Sequence, residues 1–287
     1  MLSIAGLFSI ASWKLGVAFV VCSIAYIVYY YFYSCKYLMK VLGAYQIEKK
    51  DNPTLYNIVE ELSIAAGIPV PKIYICDDLI PNAFATGYDP QHASIAITAG
   101  LLEIMNEKEL RGVVGHELSH IRNYDIRLTT VLCSLDRIIF NCGVYLIVAV
   151  LGMLYSLFEG EFSIAKIVIF VFVAPVALFF GVPIAFIGIP LSKILYIFFS
   201  KEREYLADVG SIDLTRDGSN IIGALQKLER YDEIIEEKGV DTDYFYNDTL
   251  VSGLALNVNK PKNWLKSLVS DHPPLNKRIK RLKESAN

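Results

Sequence analysis

The sequence predicts a mainly helical α+β chain with a small β-sheet and about three transmembrane helices. Three observations carry that expectation. Of 287 residues, 54% are hydrophobic and 20% charged, an apolar share above the usual soluble range of about 45–50%. The excess is concentrated in three charge-free stretches, 15–35, 138–158 and 167–192. Between them lie polar segments with helix caps and short strand-like runs, the pattern of a mixed domain outside the bilayer.

The first stretch, 15–35, closes the N-terminal segment 1–35. A bilayer core needs about 20 apolar residues in helical rise, and all three stretches meet that length. Residues 1–13 are also free of charge but too short to span. The run Tyr29, Tyr30, Tyr31, Phe32, Tyr33 suits the headgroup layer. No small-residue cleavage site follows it, so the segment reads as a permanent anchor rather than a leader. The second and third stretches are joined by 159–166 only, so 138–192 reads as a transmembrane hairpin. Pro175, Pro183 and Pro190 are tolerated there when neighbouring helices satisfy the freed carbonyls. A hairpin returns the chain to its starting side. Residues 36–137 and 193–287 are therefore expected to build one domain. Lys36, Lys40, Arg127, Arg137, Lys193 and Lys201 flank the spans on that side, whereas the hairpin loop carries Glu159 and Glu161. The positive-inside bias places the domain in the cytoplasm, on a multi-pass protein of the cell membrane.

Within the domain, Asn52 caps a helix that has Pro53 at its first position and an apolar stripe of Leu55, Ile58, Val59 and Leu62, with Gly67 as its stop. Residues 73–76 read as a strand. Residues 82–87 and 93–98 flank Asp89-Pro90 and read as a hairpin. Asn106 and Glu109 form a capping box, opening a helix expected to run through 107–137. Residues 193–208 and 219–238 read as helices.

The net charge of −3 offers no basic field for nucleic acid. Five cysteines, odd in number and without a C-x-x-C pair, argue against a disulfide framework and for a reducing compartment.

Residues 116–120 read H-E-L-S-H. On a helix, His116 and His120 share a face and can offer two imidazoles to one zinc ion. Glu117 then stands where it can take a proton from a water molecule. A catalytic zinc commonly takes three protein ligands. Only His92 and His272 remain as histidines, and His92 lies in a turn. Glu204 and Asp208, at i and i+4, can supply a third ligand and an acceptor for a ligand's N–H. The plain alternative is a solvated helix face, as expected for Glu202 and Arg203. Asn123 and Asp125 read as braces of the helix end. The segment Asn82, Ala83, Phe84 can pair with an extended substrate as an edge strand, or be an ordinary hairpin arm.

Four blocks, NAFATG at 82–87, HELSHIRNYD at 116–125, EYLAD at 204–208 and DHPPLNKRI at 271–279, resemble the HtpX-type membrane zinc endopeptidases, with a more distant likeness to CAAX prenyl proteases. The resemblance covers nearly the whole chain. It implies a gluzincin fold and one zinc per chain held by His116, His120 and Glu204, with Glu117 as catalytic base. It further implies hydrolysis of damaged or misassembled membrane proteins on the cytoplasmic side. In the last block, His272 is either an oxyanion donor or part of a helix-opening turn, and Arg278 either braces the site or contacts substrate. An intramembrane protease is excluded by the charges around the motif, among them Glu107, Arg111, Arg122 and Asp125. A metal transporter is disfavoured because no span carries an acid or a histidine. A CAAX-type protease would carry more spans.

Overall fold

A computed structural model describes residues 21, 24–26, 28, 29, 31–131, 189–237 and 273–285. Among these no helix is long and apolar enough to cross a membrane. The expected span 138–158 and His272 lie outside the described residues, as do all but 189–192 of the span 167–192 and much of 15–35.

The chain enters on helix α1 (31–41) and strand β1 (Tyr45–Gln46). Helix α2 (Pro53–Ala66) starts where the sequence places it. The Asn52 side chain accepts from the Leu55 amide, and Gly67 closes the helix in the left-handed region at φ 68°. Strands β2 (Lys72–Cys76), β3 (Ala83–Thr86) and β4 (Ser94–Thr98) complete a four-stranded sheet of order β1-β2-β4-β3. β3 and β4 form the expected antiparallel hairpin around a 3-10 turn at Pro90–His92. β2 and β4 run parallel, which makes the sheet mixed. Alternation along β3 and β4 sends Ala83, Ala85, Ile95 and Ile97 into the main core. Phe84 and Ala96 point the other way, against Leu38 and Met39 of α1. Both faces of the sheet are thus covered.

After the short α3 (Ala99–Ile104), helix α4 (Glu107–Arg122) opens on the full capping box of Asn106 and Glu109. It does not run on to 137. Asn123 caps it at Arg122, and Tyr124 takes φ 61°. A new helix, α5, starts at Asp125 and is described to Val131. A left-handed tyrosine breaks the α4 hydrogen-bond ladder and turns the chain, strain of roughly 1–3 kcal/mol that the surroundings must hold. The expectation of one unbroken helix over 107–137 fails for that reason.

Helix α6 (Ile189–Thr215) is longer than expected and unbroken. Helices α7 (Gly218–Glu237) and α8 (Leu275–Ser285) follow. The core joins Leu55 and Ile58 of α2, Val113 and Leu118 of α4, Leu225 and Leu228 of α7, and Ile279 and Leu282 of α8. Helices α4, α6 and α7 cross at small residues. A Cβ on Gly112 would lie 2.6 Å from the backbone of Asn220 and Ile221. The Ser211 hydroxyl donates to the Gly112 carbonyl at 2.6 Å. This close approach brings α6 near enough for a glutamate to reach the α4 histidines.

Candidate metal centre

Helix α4 presents His116 and His120 one turn apart, their rings edge to face with centroids 4.7 Å apart. On α6 the buried stripe is Glu204, Ala207, Asp208, Ser211 and Leu214, the i, i+3, i+4, i+7 pattern of a core-facing helix. Two of its members are carboxylates, which burial permits only with partners. Those partners stand on α4 and α8.

Four atoms of three side chains converge. His116 Nε2 and His120 Nε2 are 3.1 Å apart. Glu204 Oε2 is 3.5 Å from the first, and its Oε1 is 3.4 Å from the second. For zinc at about 2.0–2.1 Å from each ligand, a tetrahedron has edges of about 3.3–3.4 Å. The observed triangle fits. His116, His120 and Glu204 are the metal-capable cluster among the described residues.

The other nitrogen of each imidazole sets the tautomer. His116 Nδ1 lies 3.0 Å from Asp208 Oδ1, and His120 Nδ1 lies 2.9 Å from Asp125 Oδ2. A carboxylate only accepts, so each neutral ring carries its proton on Nδ1 and turns the Nε2 lone pair inward. Two lone pairs facing each other at 3.1 Å repel unless a cation sits between them and the carboxylate.

Arg278 arrives from α8. It is fully buried, donates through Nε to Asp208 Oδ2 at 2.8 Å and through Nη2 to Oδ1, and places Nη1 3.3 Å from Glu204 Oε2. This is the bidentate fork of a guanidinium on a carboxylate. Its full burial and its fork onto Asp208 fit bracing. Burial alone would raise the Asp208 carboxyl, but the charge and hydrogen bonds of Arg278 hold it below the usual range. Both histidines are pushed up. Burial opposes this, and their carboxylate partners outweigh it: Asp208 and Glu204 for His116, Asp125 and Glu204 for His120. The formal charges of Glu117, Asp125, Glu204 and Asp208 against Arg203 and Arg278 leave an excess of two negative charges with the imidazoles neutral. A divalent cation would balance it, in place of the protons that the raised histidines otherwise hold.

Glu117 is 3% exposed and acts electrostatically on both His120 and Arg278. Asn82, Ala83 and Phe84 are buried. β3 is the outer strand of the sheet and lies against α4, but the Ala83 and Phe84 side chains belong to the core clusters, which leaves the backbone edge for any substrate. His92 is exposed and bonded to Asp89. Two residues escaped the sequence reading. Asp125 braces a histidine ring rather than the helix end alone, and Arg203 is not merely solvated, because its Nη1 lies 3.0 Å from Asp125 Oδ1. The only trace of the first was an acid shortly after the second histidine.

Comparison with known proteins agrees with this geometry. The Peptidase family M48 pattern matches residues 49–286. The chain is 36% identical over 258 residues to "Protease HtpX homolog" of Tropheryma whipplei (strain TW08/27), covering 90% of this chain and 81% of that protein. It is 38% identical over 255 residues to the protein of the same name from Streptococcus mutans, covering 88% and 80%. The crystal structure of S. mikatae Ste24p superposes with a TM-score of 0.50 at 15% identity, over 98% of this chain and 66% of that one, a likeness of fold. The family match and the relatives at above one third identity establish that the chain belongs to peptidase family M48 and is a metalloprotease.

Proposed function

We propose that the chain is a membrane-bound zinc endopeptidase, with one zinc per chain held by His116, His120 and Glu204. The observation that carries this is the Nε2, Nε2, carboxylate triangle, with both Nδ1 atoms anchored on acids. Zinc bound there would polarise a scissile carbonyl and lower the pKa of a coordinated water to about 7. Glu117, the buried residue that follows His116 on α4, takes the proton of the attacking water and delivers it to the leaving amine. Asp208 and Asp125 hold the imidazoles in register, and Arg278 keeps Asp208 ionised. The β3 backbone from Asn82 to Phe84 aligns an extended substrate by strand addition, and His272 stabilises the oxyanion. The stretch 15–35 and the hairpin 138–158 and 167–192 fix the catalytic domain to the cytoplasmic face of the cell membrane. The substrates are misfolded or damaged membrane proteins, cut on that side.

The deciding experiment separates binding from chemistry. Glu117→Gln retains one zinc per chain by metal analysis and loses casein cleavage by about 10²–10⁴-fold. Glu204→Ala loses both. Full zinc occupancy in Glu204→Ala, or brisk cleavage by Glu117→Gln, would overturn the assignment.

A further inference from the structure

The two histidines are supported by parallel arrangements that differ in depth. Behind His116 stands Asp208, and behind Asp208 the guanidinium of Arg278, with side chains 1% and 0% exposed. Behind His120 stands Asp125, and behind Asp125 the guanidinium of Arg203, with side chains 12% and 30% exposed. Resting on the metal-centre reading above, we propose that Asp125 and Arg203 are a positioning clamp that fixes the His120 ring for metal and ties the end of α4 to α6.

Three features of the geometry carry this. Both oxygens of Asp125 are engaged, Oδ2 by His120 Nδ1 at 2.9 Å and Oδ1 by Arg203 Nη1 at 3.0 Å. The carboxylate therefore has one orientation, and so does the ring it holds. Second, the contact exists only because the chain turns at Tyr124, φ 61°. On a continuous helix a residue five places after His120 would sit about 140° around the axis from it. Third, Arg203 adjoins Glu204, so one turn of α6 supplies a ligand and also grips the support of another. Loss of the clamp frees the His120 ring and lets α6 drift from α4 at the point where the triangle must close. Removing a partner behind a metal-bound histidine typically weakens metal binding about 10–100-fold.

The test measures metal retention by the purified full chain, loaded with zinc and challenged with a chromophoric chelator. The Co²⁺-substituted absorption spectrum gives a second readout. Asp125→Ala still binds one metal, about 10–100-fold more weakly, with a shifted Co²⁺ ligand-field band. Asp125→Asn, which keeps the shape and removes the charge, moves both readouts in the same direction. Arg203→Met weakens retention by about tenfold, and Arg203→Lys restores part of it. In the Asp125→Ala background Arg203→Met adds little, the signature of residues acting through one contact. Retention within about threefold of wild type in Asp125→Ala, an unmoved Co²⁺ band, or full additivity of the two substitutions would overturn the clamp alone. A wild-type chain that binds no metal, or Glu204→Ala with full occupancy, would overturn the metal centre and the clamp with it.

Discussion

Arg278→Met is the most informative single test of how the centre is held. The substitution keeps the apolar stem of a fully buried side chain and deletes a guanidinium that forks onto Asp208 and approaches Glu204. Asp208, 1% exposed, then keeps, among the described residues, the His116 ring as its ionic neighbour. Breaking a buried ion pair from one side costs about 3–5 kcal/mol, since the remaining charge is stranded. For a domain of this size each kcal/mol lowers Tm by about 2–4 °C, so the metal-free variant should melt about 6–20 °C below wild type. Asp208→Asn in the same chain removes the stranded charge and should return more than half of that loss. Bound metal offsets part of the excess negative charge, so the zinc-induced rise in Tm should be larger in Arg278→Met than in wild type. The assay is thermal unfolding in detergent, with and without chelator, followed by circular dichroism. A loss below about 1 kcal/mol in the single variant, or a double variant less stable than the single one, would refute the reasoning. Either result would mean that Arg278 contributes packing rather than charge.

The remaining predictions are more local. Gly112→Ala drives a methyl group into the backbone of α7, at 2.6 Å from Asn220 and Ile221. It should cost about 1–3 kcal/mol and lower protease activity by spreading α4 from α7, as read by chemical unfolding and peptide turnover; unchanged stability would refute the close crossing. Chelation of the wild-type chain should abolish cleavage, and zinc should restore it; full activity after exhaustive chelation would contradict the metal mechanism. In a cysteine-free chain, Gly160→Cys and Lys262→Cys should be labelled from opposite sides of the membrane. Labelling from one side would remove the hairpin.

Local signals made much of this legible. Asn52, Gly67, Asn106 and Glu109 act through side-chain and backbone chemistry confined to a few residues, so their meaning survives without the fold. His116 and His120 were readable because helical periodicity alone places them together, and Glu204 and Asp208 because two acids at i and i+4 stood out beside them. The break after Arg122 left no comparable mark. The left-handed residue is Tyr124, where glycine or asparagine would have announced a stop. The continuous helix then pointed Asp125 away from His120. Arg203 was obscured for a different reason. It lies at the edge of the buried stripe of α6, about 40° from Ala207, and reaches Asp125 through the length of its side chain. The depth of Arg278 depends on α8 docking against α7 and α6, a long-range contact that periodicity does not encode.

The unequal joints on the two sides of the centre have a consequence for how the chain tolerates changes in length. From Ile189 to Glu204 the path is one uninterrupted α-helix. Each residue inserted there would rotate whatever precedes Ile189 by about 100° and lift it by about 1.5 Å relative to the metal ligands. On the other side, the non-helical joint at Asn123 and Tyr124 interrupts that phase three residues after His120. Rotation of the segment beyond Val131 can be taken up there only as far as the contacts of Asp125 with His120 and Arg203 allow. Insertions and deletions are therefore expected to be graded on the α5 side and periodic on the α6 side, with activity returning after about seven added residues, near two full turns. The centre is referenced to the rest of the chain through one rigid rod and one joint restrained by Asp125.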